Sequence, residues 1–320
     1  MKRKFYTGSI TLAAVAALAL TGCAGSSEQA SSSDADVTHK VSVGVLPTAM
    51  LAIMQAIEDE GIFAEHGLEI ETQTAQGGAA ALPALSSGSL DIAIGNPVSV
   101  ILAQEQGLDV GFTGGFGYSL PEGEDVVAVI APADSPITSV KDLTGATVAV
   151  NTLKGHAEVT IREATELAGG DGSAINMVEV GFPDVGGQLA AGNVEAAFVV
   201  QPFLASLTAE GNKVISYPFQ DSLPGQMTLV TFTGGKFAQE RPEALAAFKA
   251  AMDEGLAFVQ EDQDAVRALL PSLLKMPEEV AATLPFEYMS GELDVSMLDG
   301  IAEMMVTQGL IKSVPEITVY

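Results

Sequence analysis

The chain has 320 residues, of which 48% are hydrophobic and 33 are glycine, and a formal net charge of −27. It is too long for one ordinary domain and too apolar for a disordered chain, which predicts two lobes or one large α/β domain. The 41 acidic side chains against 14 basic ones argue against nucleic acid and anionic lipid headgroups as partners, and the single cysteine excludes an internal disulfide.

In chain order, Lys2, Arg3 and Lys4 precede an apolar run over residues 10–20, too short to span a bilayer. Residues 1–22 therefore read as an export signal. The stretch Leu20-Thr21-Gly22-Cys23 resembles the lipobox of bacterial lipoproteins, which implies cleavage before Cys23 and a lipid anchor on its sulfur. Two or three acyl chains hold a protein stably to a membrane. The expected location is the extracytoplasmic face of the cell membrane. Residues 23–37 are a polar tether, whose stretch 24–36 wanders about 20 Å as a flexible coil. Beyond the signal, 11 basic residues (14 less 3) face all 41 acidic ones, a net charge of −30.

Residues 41–46 (VSVGVL) predict a buried strand. The following TAMLAIMQAIEDEG places apolar residues 50, 51, 53, 54 and 57 at helical spacing, and Gly61 stops that helix. A strand at 68–73, a small-residue helix from Gly77-Gly78 to Gly88 and a strand at 91–94 complete a β-α-β-α-β run. Parallel strands need such crossover helices. A second run starts after residue 136, with strands at 146–150, 175–180, 195–200 and 213–217 and helices at 155–167, 184–191 and 202–209. The remainder differs, with a strand at 227–232, a long amphipathic helix at 242–259 and shorter helices at 263–270, 277–283 and 294–308. Too few strands remain there for a third domain, so the tail is expected to pack on the first lobe. The expected division is 38–131 plus 226–320 for lobe I and 132–225 for lobe II. The crossings fall near 131–137 and 218–226, marked by Pro132, Pro136, Pro218 and Pro224.

One phrase occurs twice. LSSGSLDIAIGNP at 85–97 returns as LAAGNVEAAFVVQP at 189–202. In each, a glycine ends a helix, a carboxylate leads into a strand and an amide-proline pair leaves that strand's C-terminal end. Ligands of open α/β sheets sit just outside those ends. Two such ends facing each other make a cleft.

LPTAMLAIMQAIEDEGIFAEHGLEIE, GGAAALPALSSGSLDIAIGNP, SVKDLTGATVAVNTLKG and LAAGNVEAAFVVQPF together resemble the solute-binding proteins of ABC importers in the nitrate, sulfonate, taurine and thiamine-pyrimidine-precursor group. The likeness covers about residues 40–320. It implies the type II periplasmic-binding-protein fold, two Rossmann-like α/β lobes closing over a small solute that is handed to a membrane permease, in a monomer without cofactor.

The strand-end loops and the resemblance designate the same candidate ligand-binding residues: Thr48, Ala49, Gln76, Gly77, Gly78, Asn96 and Pro97 on lobe I, and Asn151, Thr152, Lys154, Phe182 and Gln201 on lobe II. Backbone N–H groups at helix N-termini hold anions without any cation, and Gly77-Gly78 and Thr48 suit that task, although glycine pairs also serve turns alone and Thr48 also suits a plain helix cap. Lys154 and His156 are the only basic side chains beside these loops, so Lys154 is the expected partner of an anion. Phe116, Tyr118, Phe182 and Phe203 are the aromatic candidates for a ring-bearing solute. The expected cargo is a small polar or anionic organic solute: a sulfonate, a nitrate-like anion, or a pyrimidine or aromatic precursor. His39, His66 and His156 are scattered, and no HExxH, CxxC, GxSxG or Walker motif occurs, so neither a catalytic residue nor a metal ligand is designated. The alternatives are a tethered ligand sensor and, more remotely, an enzyme like those making thiamine pyrimidine in this fold.

Overall fold

The computed structural model describes residues 38–75 and 77–320. The expected signal, Cys23 and the tether to residue 37 lie outside the described residues, as does Gln76. The first half of the chain runs β1 (His39–Val45), α1 (Ala49–Glu60), α2 (Ile62–Glu65), β2 (Leu68–Thr74), α3 (Gly78–Ser87), β3 (Ile92–Gly95), α4 (Pro97–Glu105) and β4 (Val110–Tyr118). Local chemistry sets these boundaries. Thr48 caps α1 and Gly61 ends it at φ 89, a left-handed conformation that favours glycine; Asn96 caps α4 with Pro97 in its first turn.

The second half contains β5 (Val127–Ala131), β6 (Thr147–Val150), α5 (His156–Leu167), β7 (Asn176–Glu179), α6 (Val185–Ala190), β8 (Ala196–Val200), α7 (Phe203–Ala209), β9 (Lys213–Ser216) and α8 (Pro218–Ser222). It continues through β10 (Met227–Gly234), α9 (Gly235–Glu240), α10 (Pro242–Glu261), α11 (Gln263–Leu274), α12 (Glu278–Ala281), β11 (Tyr288–Met289) and α13 (Val295–Thr307).

Two sheets result. The first has the order β11-β4-β10-β3-β1-β2 and the second β7-β6-β8-β5-β9. Strand β1 runs parallel to β2 and β3, while β10 is inserted antiparallel between β3 and β4. The second sheet repeats the arrangement: β6 is parallel to β7 and β8, and β5 is antiparallel to β8 and β9. The fold is thus α/β with two sheets, as the alternating pattern predicts.

Each sheet is covered on both faces, which is why its central strands read as continuous apolar runs. On the first sheet, Ile53 and Ile57 of α1 pack with Phe248, Met252 and Leu256 of α10 on one face. Ile101 of α4 packs with Leu298, Ile301 and Met305 of α13 on the other. The helical tail therefore furnishes cover for both faces of the first sheet. On the second sheet, Ile161 and Ala164 of α5 pack beneath one face and Leu189, Leu204 and Leu207 of α6 and α7 beneath the other.

One expected boundary is corrected. Residues 127–131 fall within the span expected for lobe I, yet they form β5 of the second sheet, so the chain first crosses at 119–126 rather than 131–137. Pro132 and Pro136 lie in the β5–β6 connection instead. Strand β4 is also absent from the sequence expectation, because its VGFTGGFGY carries four glycines where strand periodicity calls for side chains. Those glycines admit close neighbours: a Cβ on Gly111 would press on the Tyr320 ring, and one on Gly117 on the Glu287 carboxyl.

Candidate ligand cleft between the two sheets

The doubled phrase leads into the cleft from both banks. Strand β3 ends at Gly95, and Asn96 follows with its Oδ1 accepting from the Ser99 backbone N–H at 3.0 Å and the Ser99 hydroxyl at 3.1 Å. Strand β8 ends at Val200, and Gln201 follows with its Oε1 accepting from the Ala205 N–H at 3.2 Å. Both side chains line one cavity of about 1020 Å³, measured to its open mouth.

The cavity also brings together Thr48, Ala49 and Gly77 from the first sheet's loops and Asn151, Thr152 and Phe182 from the second's. Three expected residues do not line it. Gly78 is buried behind the wall, where a Cβ built on Gly95 would lie 2.7 Å from its Cα; the glycine pair lets α3 approach β3. Pro97 is buried in the first turn of α4 and shapes the loop from within. Lys154 is exposed and off the cavity, its loop held by a 2.7 Å bond from its backbone N–H to Glu158 Oε2. The anion partner assigned to Lys154 is corrected accordingly: the residue sits at φ 56 in an exposed turn and is not among those lining the cavity. Gln76 falls outside the described residues.

Phe116 and Phe182 are lining residues, whereas Tyr118 is off the cavity, its hydroxyl donating to the Glu292 carbonyl. Phe203 stacks behind Phe182 at 5.8 Å between ring centroids. Sequence reasoning missed Phe198, Phe219, Thr228, Phe286 and Glu287, all on the lining. Phe198 sits within the strand half of the doubled phrase. Phe219 comes from the second crossing, Thr228 from the start of β10, and Phe286 and Glu287 from the 285–289 segment of the tail, where no local pattern announces a cleft.

Two ionisable groups line the cavity among the described residues, and both are held away from their ordinary behaviour. His156 is 3% exposed at the start of α5 and stacks on Phe219 at 4.5 Å. Burial pushes its pKa down to about 4, against the contacts to Gln226 and Thr228 that favour the cation. Gln226 donates through Nε2 to the Phe219 carbonyl and the Ser222 hydroxyl, so its Oε1 accepts from His156 Nε2 at 2.6 Å. That fixes the tautomer. The proton is on Nε2, and Nδ1 is an acceptor with no partner.

Glu287 is half-buried and accepts from the Thr228 hydroxyl. Burial pushes its carboxyl up to about 8, helped by the nearby Asp125 and opposed by the Thr228 bond. Asp125 itself lies behind the lining residue Val126, and burial raises it to about 6. No group of three or more His, Cys, Asp or Glu side chains with metal-binding spacing occurs among the described residues. Nor is any helix there long and apolar enough to cross a membrane.

Comparison with known proteins follows the same lines. The NMT1/THI5-like family model matches residues 49–266. A formylaminopyrimidine-binding protein of Halalkalibacterium halodurans is 26% identical over 255 residues, which span 78% of this chain and 74% of the relative. Among solved structures, the alkanesulfonate-binding protein SsuA of Xanthomonas axonopodis pv. citri, bound to MOPS, superposes with a TM-score of 0.74 at 15% identity, covering 88% of this chain and 98% of that one. The periplasmic aliphatic sulphonate binding protein SsuA of Escherichia coli gives 0.70 at 18% identity, covering 87% and 96%. The architecture is thus that of periplasmic binding proteins.

Proposed function

Since the chain belongs to the NMT1/THI5-like family, we propose that it is the extracytoplasmic solute-binding component of an ABC importer. In this reading it is a monomer held to the cell membrane through a lipid on Cys23, and it captures a small organic solute of the sulfonate or pyrimidine-precursor kind for a permease. The two sheets act as lobes, each carrying one copy of the doubled phrase. One observation carries the reading: Asn96 and Gln201, equivalent residues of two separate sheets, line a single cavity. A solute bridging them binds the closed arrangement better than the open one, which is all that ligand-driven closure requires. The relatives above are named as binding proteins, so the reading involves no catalysis.

The test is a thermal-shift and calorimetric screen of the protein with pyrimidines, alkanesulfonates, nitrate and aromatic acids. At a hundred times its dissociation constant a genuine ligand adds about 2.7 kcal/mol of stability. If no compound of these classes gives heat or raises the melting temperature, the reading is wrong.

A further inference from the structure

Glu287 stands where the two sheets are joined. Strand β4 leaves the first sheet for the crossing at 119–126, and β10 enters it from the crossing at 217–226. The Glu287 carboxyl touches both strands at that point. On β4 it lies against Gly117, where a Cβ would strike it, and the pairing of Tyr288 with Tyr118 and of Met289 with Gly117 keeps it there. On β10 the Thr228 hydroxyl donates to it. Two residues along each path, the Ser119 N–H donates to the Gln226 carbonyl at 2.9 Å and ties the crossings to each other.

Asp125 answers from the side of the second sheet. It is buried just before β5, its Oδ1 accepts from the Val126 N–H at 2.7 Å, and Val126 lines the same cavity as Glu287. Its Oδ2 has no partner within hydrogen-bond distance among the described residues, although the Gln220 amide on the second crossing is near enough to favour the charged form. No lysine or arginine pairs with either carboxyl there, since the ion pairs of the described residues all involve other carboxylates. The titratable neighbours add no counter-charge. Tyr118 and Tyr288 flank Glu287, while Glu124 and Asp125 both raise Tyr217 at the head of the second crossing. His156, held by Gln226, is kept neutral by burial.

A carboxylate is least costly where water reaches it and where no like charge is near. Opening the cleft wets the wall that Glu287 lines and draws the first sheet's carboxyl away from the second's. Closing does the reverse. Resting on the reading of the two sheets as lobes that open and close, we propose that Asp125 and Glu287 form a proton-operated catch on the hinge: a proton on Glu287 lets the lobes stay together, and its loss parts them. The pH window runs from the ordinary carboxyl value of 4.5 up to about 8, where Glu287 is ionised even in its buried setting. Across it the open arrangement gains up to about tenfold per pH unit, and above it the balance is flat.

The experiment uses the full chain in detergent without any solute, so its outcome is independent of the solute screen. Amide hydrogen exchange is followed by mass spectrometry between about pH 5 and 8.5, with labelling times scaled to the intrinsic rate, and neutron scattering with the detergent matched out measures the radius of gyration. Over that range, protection of peptides covering 117–127 and 217–229 is expected to fall about tenfold or more, and the radius of gyration to rise. Glu287→Gln flattens both responses, and Asp125→Asn diminishes them. A change of less than about twofold at both crossings in the wild-type chain overturns the catch and leaves the solute-binding reading to its own test. An equal fall in peptides of α7 and α10 also overturns it, because the whole molecule then loosens. So does a wild-type response in Glu287→Gln. Where that variant fails to fold, Asp125→Asn decides, an undiminished response overturning the proposal.

Discussion

Glu287 makes the cleft's chemistry measurable in the free protein. Its carboxyl ionises near 4.5 in the unfolded chain and near 8 in the folded one. The folded state therefore holds its proton longer, and the stability this contributes is complete below pH 4.5 and lost as pH rises through 8. His156 acts in the opposite sense, since its pKa falls to about 4 and the folded state loses stability as pH drops from 6.5 toward 4. Glu287→Gln, which remains neutral, removes only the first effect. Its melting temperature relative to wild type is expected to rise between pH 4.5 and 8.5, corresponding to a gain on the order of a few kcal/mol. A difference that stays flat across that range contradicts the raised carboxyl. Neither residue's role was legible beforehand: His156 stood beside a designated loop, but its burial depends on Phe219 and Gln226, about 60–70 positions away, and Glu287 lies in a tail whose local pattern says only helix and turn.

At the scale of elements, the doubled phrase was legible because every part of it acts locally. Gly88 and Gly192 adopt left-handed conformations at φ 74 and φ 71, the short apolar runs form β3 and β8, and the amide residues turn the chain into α4 and α7. Strands β4 and β5 were not legible, since the glycines of β4 answer to Tyr320 and Glu287 and the antiparallel place of β5 is a partnership with β8 and β9. Asn96 illustrates how such an element carries two duties. Its Oδ1 caps α4, so Asn96→Ala is expected to cost about 1 kcal/mol of stability, whereas Asn96→Asp keeps the cap. Both remove the amide donor, so both weaken solute binding. Chemical denaturation with titration of the two variants checks this separation; equal stability loss in both argues that the capping bond is not the one that matters. Gly95→Val is a stronger perturbation, because even a Cβ there meets Gly78 at 2.7 Å, and it is expected to displace α3 and unfold the protein at lower denaturant.

At the scale of the molecule, two crossings join the sheets, at 119–126 and, through α8, at 217–226. Bonds also reach across: Gln226, on the second crossing, holds His156 of α5, and Gln308, just after α13, donates to the Val159 carbonyl at 2.8 Å. Closure on solute is expected to reduce the radius of gyration, and small-angle scattering with and without saturating ligand measures it; identical profiles refute a hinge. For the anchor, replacing Cys23 by Ala is expected to release the protein from the membrane fraction without altering solute affinity, as fractionation and titration together show. Retention of that variant in the membrane would refute attachment through sulfur.

The interleaving of β5 and β10 has a consequence for biosynthesis. The first sheet is missing a central strand until residue 234 has been made, and its edge strand β11 and covering helix α13 come later still. A ribosome-bound fragment ending before that point holds β3 and β4 with nothing between them. Burial of the first sheet's second face must therefore wait until α13 has been made, close to the end of synthesis.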